Sequence, residues 1–309
     1  MKAAQCIRAS CASSRAVCLM LLAVVIFWGI NVVMIKYLTT FFPPLALAGI
    51  RVFIASTLLI PFIIFRKGES VIPKTTWPLV LAVAFFSIFS HQLTLALGLV
   101  ETSATHASLI LGLNPLFTTL LAARYARESF SWTKGVSIVL GLAAILLIVI
   151  QSRQAGTATL HGDIIMIISM LSAVIGYLFI KKATITIPIM VLTAYTHAVA
   201  AAGLLLTAWL SGTAWTTGAE LTAWPIGILF FSGWVNTAIG ALCWNNGIQK
   251  IGASTTSLFS NGIPVAGMFA SALFLNEILE WQHFAALALV LAGVSLGAGL
   301  FEKAVPAEK

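Results

Sequence analysis

The chain alternates between apolar runs of about twenty residues and short polar breaks. A helix that crosses a bilayer needs roughly that length, since it rises about 1.5 Å per residue through hydrocarbon about 30 Å thick. The runs fall at 17–38, 44–65, 77–99, 104–123 and 133–150, then at 163–180, 188–210, 225–248, 253–275 and 283–301. The pattern predicts an all-α integral membrane protein of ten transmembrane helices with short connections. The longest polar stretch between runs, Gln151–Asp163, divides them five and five.

The second five runs repeat the first. A shift of 149 positions lays Pro115 on Pro264, Glu128 on Glu277 and Trp132 on Trp281. Earlier in the chain a shift of 145 lays Lys36 on Lys181 and Pro43 on Pro188. An odd number of spans per copy forces the second copy into the bilayer upside down. Inverted repeats of this kind recur in secondary transporters. The expected division is a cytoplasmic N-terminal segment 1–16, a first five-helix repeat 17–150, a linker 151–162, a second repeat 163–301 and a cytoplasmic tail 302–309.

Basic residues orient the spans. With the N-terminus inside, only Lys36 and Arg153 of the 17 Lys and Arg residues fall outside, and Arg51 lies within a span. One span more or fewer would move every later loop to the other face, so the charge pattern supports ten spans with both termini cytoplasmic. The segment with Lys2, Arg8 and Arg15 leads into an apolar run too long for a signal peptide, so an uncleaved first helix is expected. Trp77, Trp132, Trp209, Trp224 and Trp281 sit near span ends, as in an aromatic belt.

Composition agrees. The chain is 60% hydrophobic and 8% charged, against about 25% charged in soluble domains. The net charge of +8 is spread between the apolar runs and makes no nucleic-acid patch. Cys6, Cys11, Cys18 and Cys243 form no CxxC pair and carry no metal-ligand spacing, so ordinary reduced thiols are expected.

The candidate chemistry is sparse. There is no HExxH, GxSxG or Walker loop, and the nine acids, Asp163 among them, fall at loops, span ends or the tail. No enzyme, metal site or cofactor is expected, and no acid at mid-membrane stands out as a proton carrier. His91, His106 and His197 remain candidates, with His91 and His197 the sharper pair; a single histidine in a span also serves as a structural hydrogen-bonding group. Pro115 and Pro264 interrupt equivalent spans, with Asn114 and Asn261 close by. Matched interruptions point to a central binding site, or they only shape helix packing. The eighth run carries Gly233, Asn236, Gly240, Trp244 and Gly247 on one face, followed by Asn245, and Trp28, Asn31 and Gln92 lie inside other spans. Polar groups within lipid must face the protein interior, and a wall of Trp and Asn suits small amphipathic solutes. Arg51 either snorkels to the outer interface or faces a substrate carboxylate.

These residues resemble a known family. Phe27-Trp28-Gly29-Ile30-Asn31 with Lys36, and Pro43-Pro44-Leu45 leading to Ala48-Gly49-Ile50-Arg51, are similar to the opening of the drug/metabolite transporter superfamily, EamA branch. The stretch from Ala104 and Ser108 through Pro115 to Glu128, and its copy from Ala253 and Ser257 through Pro264 to Glu277, fit the same pattern. The resemblance implies two inverted five-helix halves around a central cavity, alternating access, and an inner-membrane permease, often an exporter of amino acids, related metabolites or toxic compounds. On that reading Trp28, Asn31, Arg51, Gln92, Asn114, Trp244, Asn245 and Asn261 bind a small-molecule substrate and Pro115 and Pro264 act as kinks or gates. The lipid bilayer is the surrounding partner and no nucleic acid is involved. A coupling ion, and a monomer or homodimer, stay open. The alternatives are a membrane-embedded lipid-acting enzyme and a passive channel or sensor.

Overall fold

Lipid offers no hydrogen bonds, so each span must close its own backbone bonds. Every regular element among the described residues is accordingly helical. The computed structural model describes residues 2–65, 72–126, parts of 132–147, and 159–297. The elements are α1 (Lys2–Leu38), α2 (Pro44–Phe65), α3 (Lys74–Glu101), and α4, built of Ala104–Leu111 and Asn114–Ala126. They continue with α5 (Leu160–Ala183), α6 (Ile189–Leu210), α7 (Ala223–Ile251) and α8 (Ala253–Phe274), and α9 (Trp281–Gly297). Among the described residues eight helices are long and apolar enough to cross a bilayer, and α9 has a shorter apolar stretch, Trp281–Gly293. Several positions of the expected fifth run, 133–150, lie outside the described residues, as do Glu128, Arg153, most of the linker and the tail. Helical residues at 139–144 fall within that run, with Gly141 against Leu116.

Two boundaries differ from expectation. α1 reaches back to Lys2, since no Gly or Pro occurs before Gly29 to stop it. α5 begins at Leu160, ahead of the expected 163, because Thr159 caps it: the Gly162 N–H donates to Thr159 Oγ1 at 3.0 Å. Elsewhere the local chemistry follows the plan. Pro44 opens α2 with its ring in place of a donor the first turn does not need. Gly252, with φ of 90°, takes the left-handed turn that separates α7 from α8. Hydroxyls inside spans bond back to their own helices, as Thr94 does to the Ser90 carbonyl at 2.6 Å and Thr193 to Ile189 at 2.8 Å.

α3 and α7 each widen into π-turns, at Ala84–Ser90 and Ser232–Ile239. Such turns offer carbonyls to side chains, and neighbouring helices answer. Ser172 donates to the Phe86 carbonyl at 2.9 Å, Ser169 to His91 at 2.9 Å, and Trp28 Nε1 to Asn236 at 2.9 Å. α4 and α8 break as well, at Gly112–Leu113 and at a 3-10 turn over Phe259–Asn261. The shift of 149 that pairs the prolines carries Ser90 onto Ile239 and Gly112 onto Asn261, so both irregularities recur in register.

α2 packs along α6, α1 along α8, α3 along α5, and α4 along α8. Glycines permit the closest approaches. A side chain at Gly29 would meet Ala266 Cβ at 2.6 Å and the Ile263 carbonyl at 2.8 Å, and one at Gly267 would collide with Ser108. Large apolar side chains such as Leu19, Phe53, Ile64, Phe269 and Leu273 face outward, while Asn31, Arg51, Asp163 and Asn236 are buried. This inside-out distribution is what a lipid solvent selects.

Candidate functional site

The π-turns and helix breaks surround a cavity of about 100 Å³. Its wall draws Trp28, Asn31, His91, Gln92 and Asn114 from the first half of the chain and Tyr177, His197, Asn236, Thr237, Trp244 and Asn245 from the second. One side is aromatic. Trp28 and Trp244 lie 4.9 Å apart between ring centroids, and Tyr177 approaches Trp244 at 5.6 Å. Gly240 makes room, since a side chain there would meet the Trp28 indole nitrogen at 2.7 Å.

The other side is polar. Arg51, fully buried, donates from Nε to Ser232 Oγ at 2.8 Å, from one terminal nitrogen to Gln92 Oε1 at 3.0 Å, and from the other to Thr237 Oγ1 at 3.2 Å. Ser232 Oγ donates onward to Asn31 Oδ1 at 2.6 Å. All three acceptors of Arg51 are neutral, and among the described residues no carboxylate pairs with it. Arg51 thus does not snorkel: α2 turns it inward, one layer behind the cavity wall formed by Gln92 and Thr237.

Two wall amides are unsatisfied. Asn236 has neither its Oδ1 nor its Nδ2 bonded, and Asn114 lacks a partner for Oδ1; they are 2% and 3% exposed. Such groups cost about 1–3 kcal/mol each unless a ligand or water completes them. Asn245 donates to Thr193 Oγ1 at 2.9 Å. His91 Nδ1 lies 2.9 Å from Ser169 Oγ, and His197 Nδ1 lies 2.7 Å from the Thr193 carbonyl. Both rings line the cavity, with Nδ1 held by a hydroxyl or a carbonyl.

The residues singled out in the sequence therefore fall into three groups. Trp28, Asn31, Gln92, Asn114, Trp244, Asn245, His91 and His197 line one space. Arg51 stands behind it. Asn261 is absent from the lining; the shift of 149 lays Asn114 on Ile263, which lines the cavity. Pro115 and Pro264 each follow a break, and a side chain at Gly112 would meet the Pro264 ring at 2.7 Å, so the two breaks lie against each other. Sequence reasoning passed over Tyr177 and Thr237; Asn236 stood in the small-and-polar stripe of α7, which was the available signal.

A polytopic helical bundle around a cavity walled by polar and aromatic side chains is the architecture that a membrane transporter requires. The model of the EamA-like transporter family matches residues 15–150 and again 160–297. A protein of Archaeoglobus fulgidus named as an uncharacterized transporter is 30% identical over 273 residues, covering 87% of this chain and 94% of that protein. A Salmonella typhimurium protein named as a probable amino-acid metabolite efflux pump is 26% identical over 280 residues, covering 88% of this chain and 91% of that one. A solved crystal structure superposes with a TM-score of 0.71 at 16% identity, covering 94% of this chain and 99% of the other. The chain belongs to the EamA-like transporter family. It is a multi-pass membrane transporter and not an enzyme.

Proposed function

We propose that the chain is a secondary carrier for small amphipathic solutes bearing a carboxylate, amino acids and their derivatives in the first place. The observation that carries this reading is the pair of unsatisfied amides, Asn114 and Asn236, beside a buried guanidinium that has only neutral acceptors. An isolated buried cation is costly, and a bound carboxylate would offset that cost. Gln92 and Thr237 present the positive field of Arg51 to the cavity, and displacing the Gln92 amide would open direct contact. The Trp28, Trp244 and Tyr177 rings suit the apolar part of the solute.

The carrier works by alternating access between two inverted five-helix halves, 17–150 and 163–301, in the cell's inner membrane with both termini cytoplasmic. The twofold family match, the recurrence of π-turns and breaks at one shift, and the packing of α2 on α6 and of α4 on α8 all support this division. Trp28, Asn31, Gln92, Asn114, Trp244 and Asn245 contact the solute. The breaks before Pro115 and Pro264 serve as the flexing points. Export as the direction rests on the name of the Salmonella relative.

Equilibrium binding of a radiolabelled amino-acid panel to the purified chain tests the assignment. Saturable binding of at least one carboxylate-bearing member is expected, with loss on Asn236→Leu. Binding of none, or binding indifferent to that substitution, would reject the site.

A further inference from the structure

The two halves of the sequence do not give matched positions to the cavity wall. The shift of 145 carries α2 onto α6 from end to end, Pro44 onto Ile189 and Phe65 onto Leu210. The shift of 149 does the same for α3 on α7 and α4 on α8. Most wall residues have a counterpart that also lines the cavity: Trp28 has Ala173, Gln92 has Ala241 and Asn114 has Ile263. Thr196, Val83 and Leu111 do not. They line the cavity, while their counterparts Arg51, Ser232 and Ser260 are each 0% exposed and lie outside its lining. The other unmatched wall residues are Asn31, His91, His197 and Asn245. Their counterparts Gly176, Gly240, Val52 and Ala96 are buried and carry no polar side chain.

We propose that Arg51, with Ser232 and Ser260, is withheld from the cavity in this state and lines it in the opposite-facing state, where the guanidinium takes the carboxylate of the solute. This rests on the alternating-access reading given above. In a carrier of inverted repeats the two halves are related by an axis in the membrane plane. The opposite-facing state is then the one in which each half takes the conformation of the other. Arg51 comes to the wall where Thr196 stands here, and Ser260 where Leu111 stands.

The bonding of these side chains agrees. Ser232 already joins Arg51, accepting from Nε at 2.8 Å, so the two move to the wall together. The guanidinium has neutral acceptors, and among the described residues no carboxylate balances its charge. Hydroxyls elsewhere in α4 bond back to their own helix, Ser108 to the Ala104 carbonyl at 2.8 Å and Thr118 to that of Asn114 at 2.7 Å. Ser260 Oγ has no such bond and is buried without a partner. Both costs are relieved where the two side chains meet a solute. Gln92 and Thr237 stay in the wall in either state, because their counterparts Ala241 and Ile88 line it here. The exchange therefore turns a wall of amides and imidazoles into one that carries a cation. A ligand shifts a two-state equilibrium by its difference in affinity for the states. Carboxylate solutes accordingly pull the carrier toward the state that presents Arg51.

Leu111→Cys and Ser260→Cys test the exchange of walls. Each variant is placed in sealed vesicles in one orientation and treated from either face with a membrane-impermeant thiol reagent. Labelling is measured above that of the unaltered chain, which has four cysteines of its own. The two new cysteines should react from opposite faces. Reaction of both from the same face, or none at position 260, overturns the proposal. Half-saturation of exchange by radiolabelled amino acids is then compared between the faces. It should come at a concentration about tenfold or more lower from the face that reaches position 260. Amino-acid amides, which lack the carboxylate, should not share that preference as competitors. Arg51→Lys should shrink the difference, and this arm covers the case in which a cysteine variant fails to fold. Equal half-saturation at the two faces of the unaltered chain, or a difference untouched by Arg51→Lys, overturns the proposal. Opposite-face labelling with no amino acid exchanged would support the exchange of walls and reject the solute class proposed above.

Discussion

An amide buried with nothing to bind lowers stability, and Asn236 carries two such atoms. Asn236→Leu removes them at similar volume, so the substitution should raise stability by about 1–3 kcal/mol while abolishing solute binding. A thermal melt in detergent reads the first effect, and a lower melting temperature would mean that Asn236 serves packing. Arg51→Lys keeps the charge but cannot span Ser232, Gln92 and Thr237 at once. Flux of carboxylate solutes should fall about tenfold or more, equivalent to about 1.4 kcal/mol. Unchanged flux would remove Arg51 from the site. At this scale Trp28, Asn31, Gln92 and Trp244 were legible in the sequence, because a polar or indole group inside an apolar run has to face inward. Asp163 was not. It stands at a span edge, where exposure is the default, and the fold buries it beside Thr102 and His106.

Among the elements, the breaks in α4 and α8 were announced by Pro115 and Pro264. The π-turns were not, since a wider turn leaves no mark in an apolar run; the side chains that satisfy its carbonyls, Ser169 and Ser172 of α5 and Trp28 of α1, lie far away in sequence. Glycines at helix contacts give a controlled comparison. Gly29→Ala drives a methyl onto backbone atoms of α8, which cannot yield, and should cost about 1–3 kcal/mol. Gly227→Ala meets nothing within 4 Å and should be neutral or stabilising by up to about 1 kcal/mol. Equal melting temperatures for the two variants would show that α1 and α8 are not in close contact.

For the whole molecule, composition and periodicity gave the class, and the spacing of basic residues gave an orientation for the proposed mirror arrangement. What periodicity could not give is which helices meet: α1 lies along α8 and α2 along α6, pairings that join distant parts of the chain. The cavity exists only through those pairings, so its polar floor became visible with Arg51 already enclosed. A carrier must move while the solute crosses that cavity. Counterflow in proteoliposomes tests this most directly. With an unlabelled amino acid trapped inside, the labelled one is expected to overshoot its equilibrium level transiently, to saturate with concentration, and to do neither in Arg51→Gln. Flux that rises linearly with concentration and shows no overshoot would contradict the carrier and leave a passive pore.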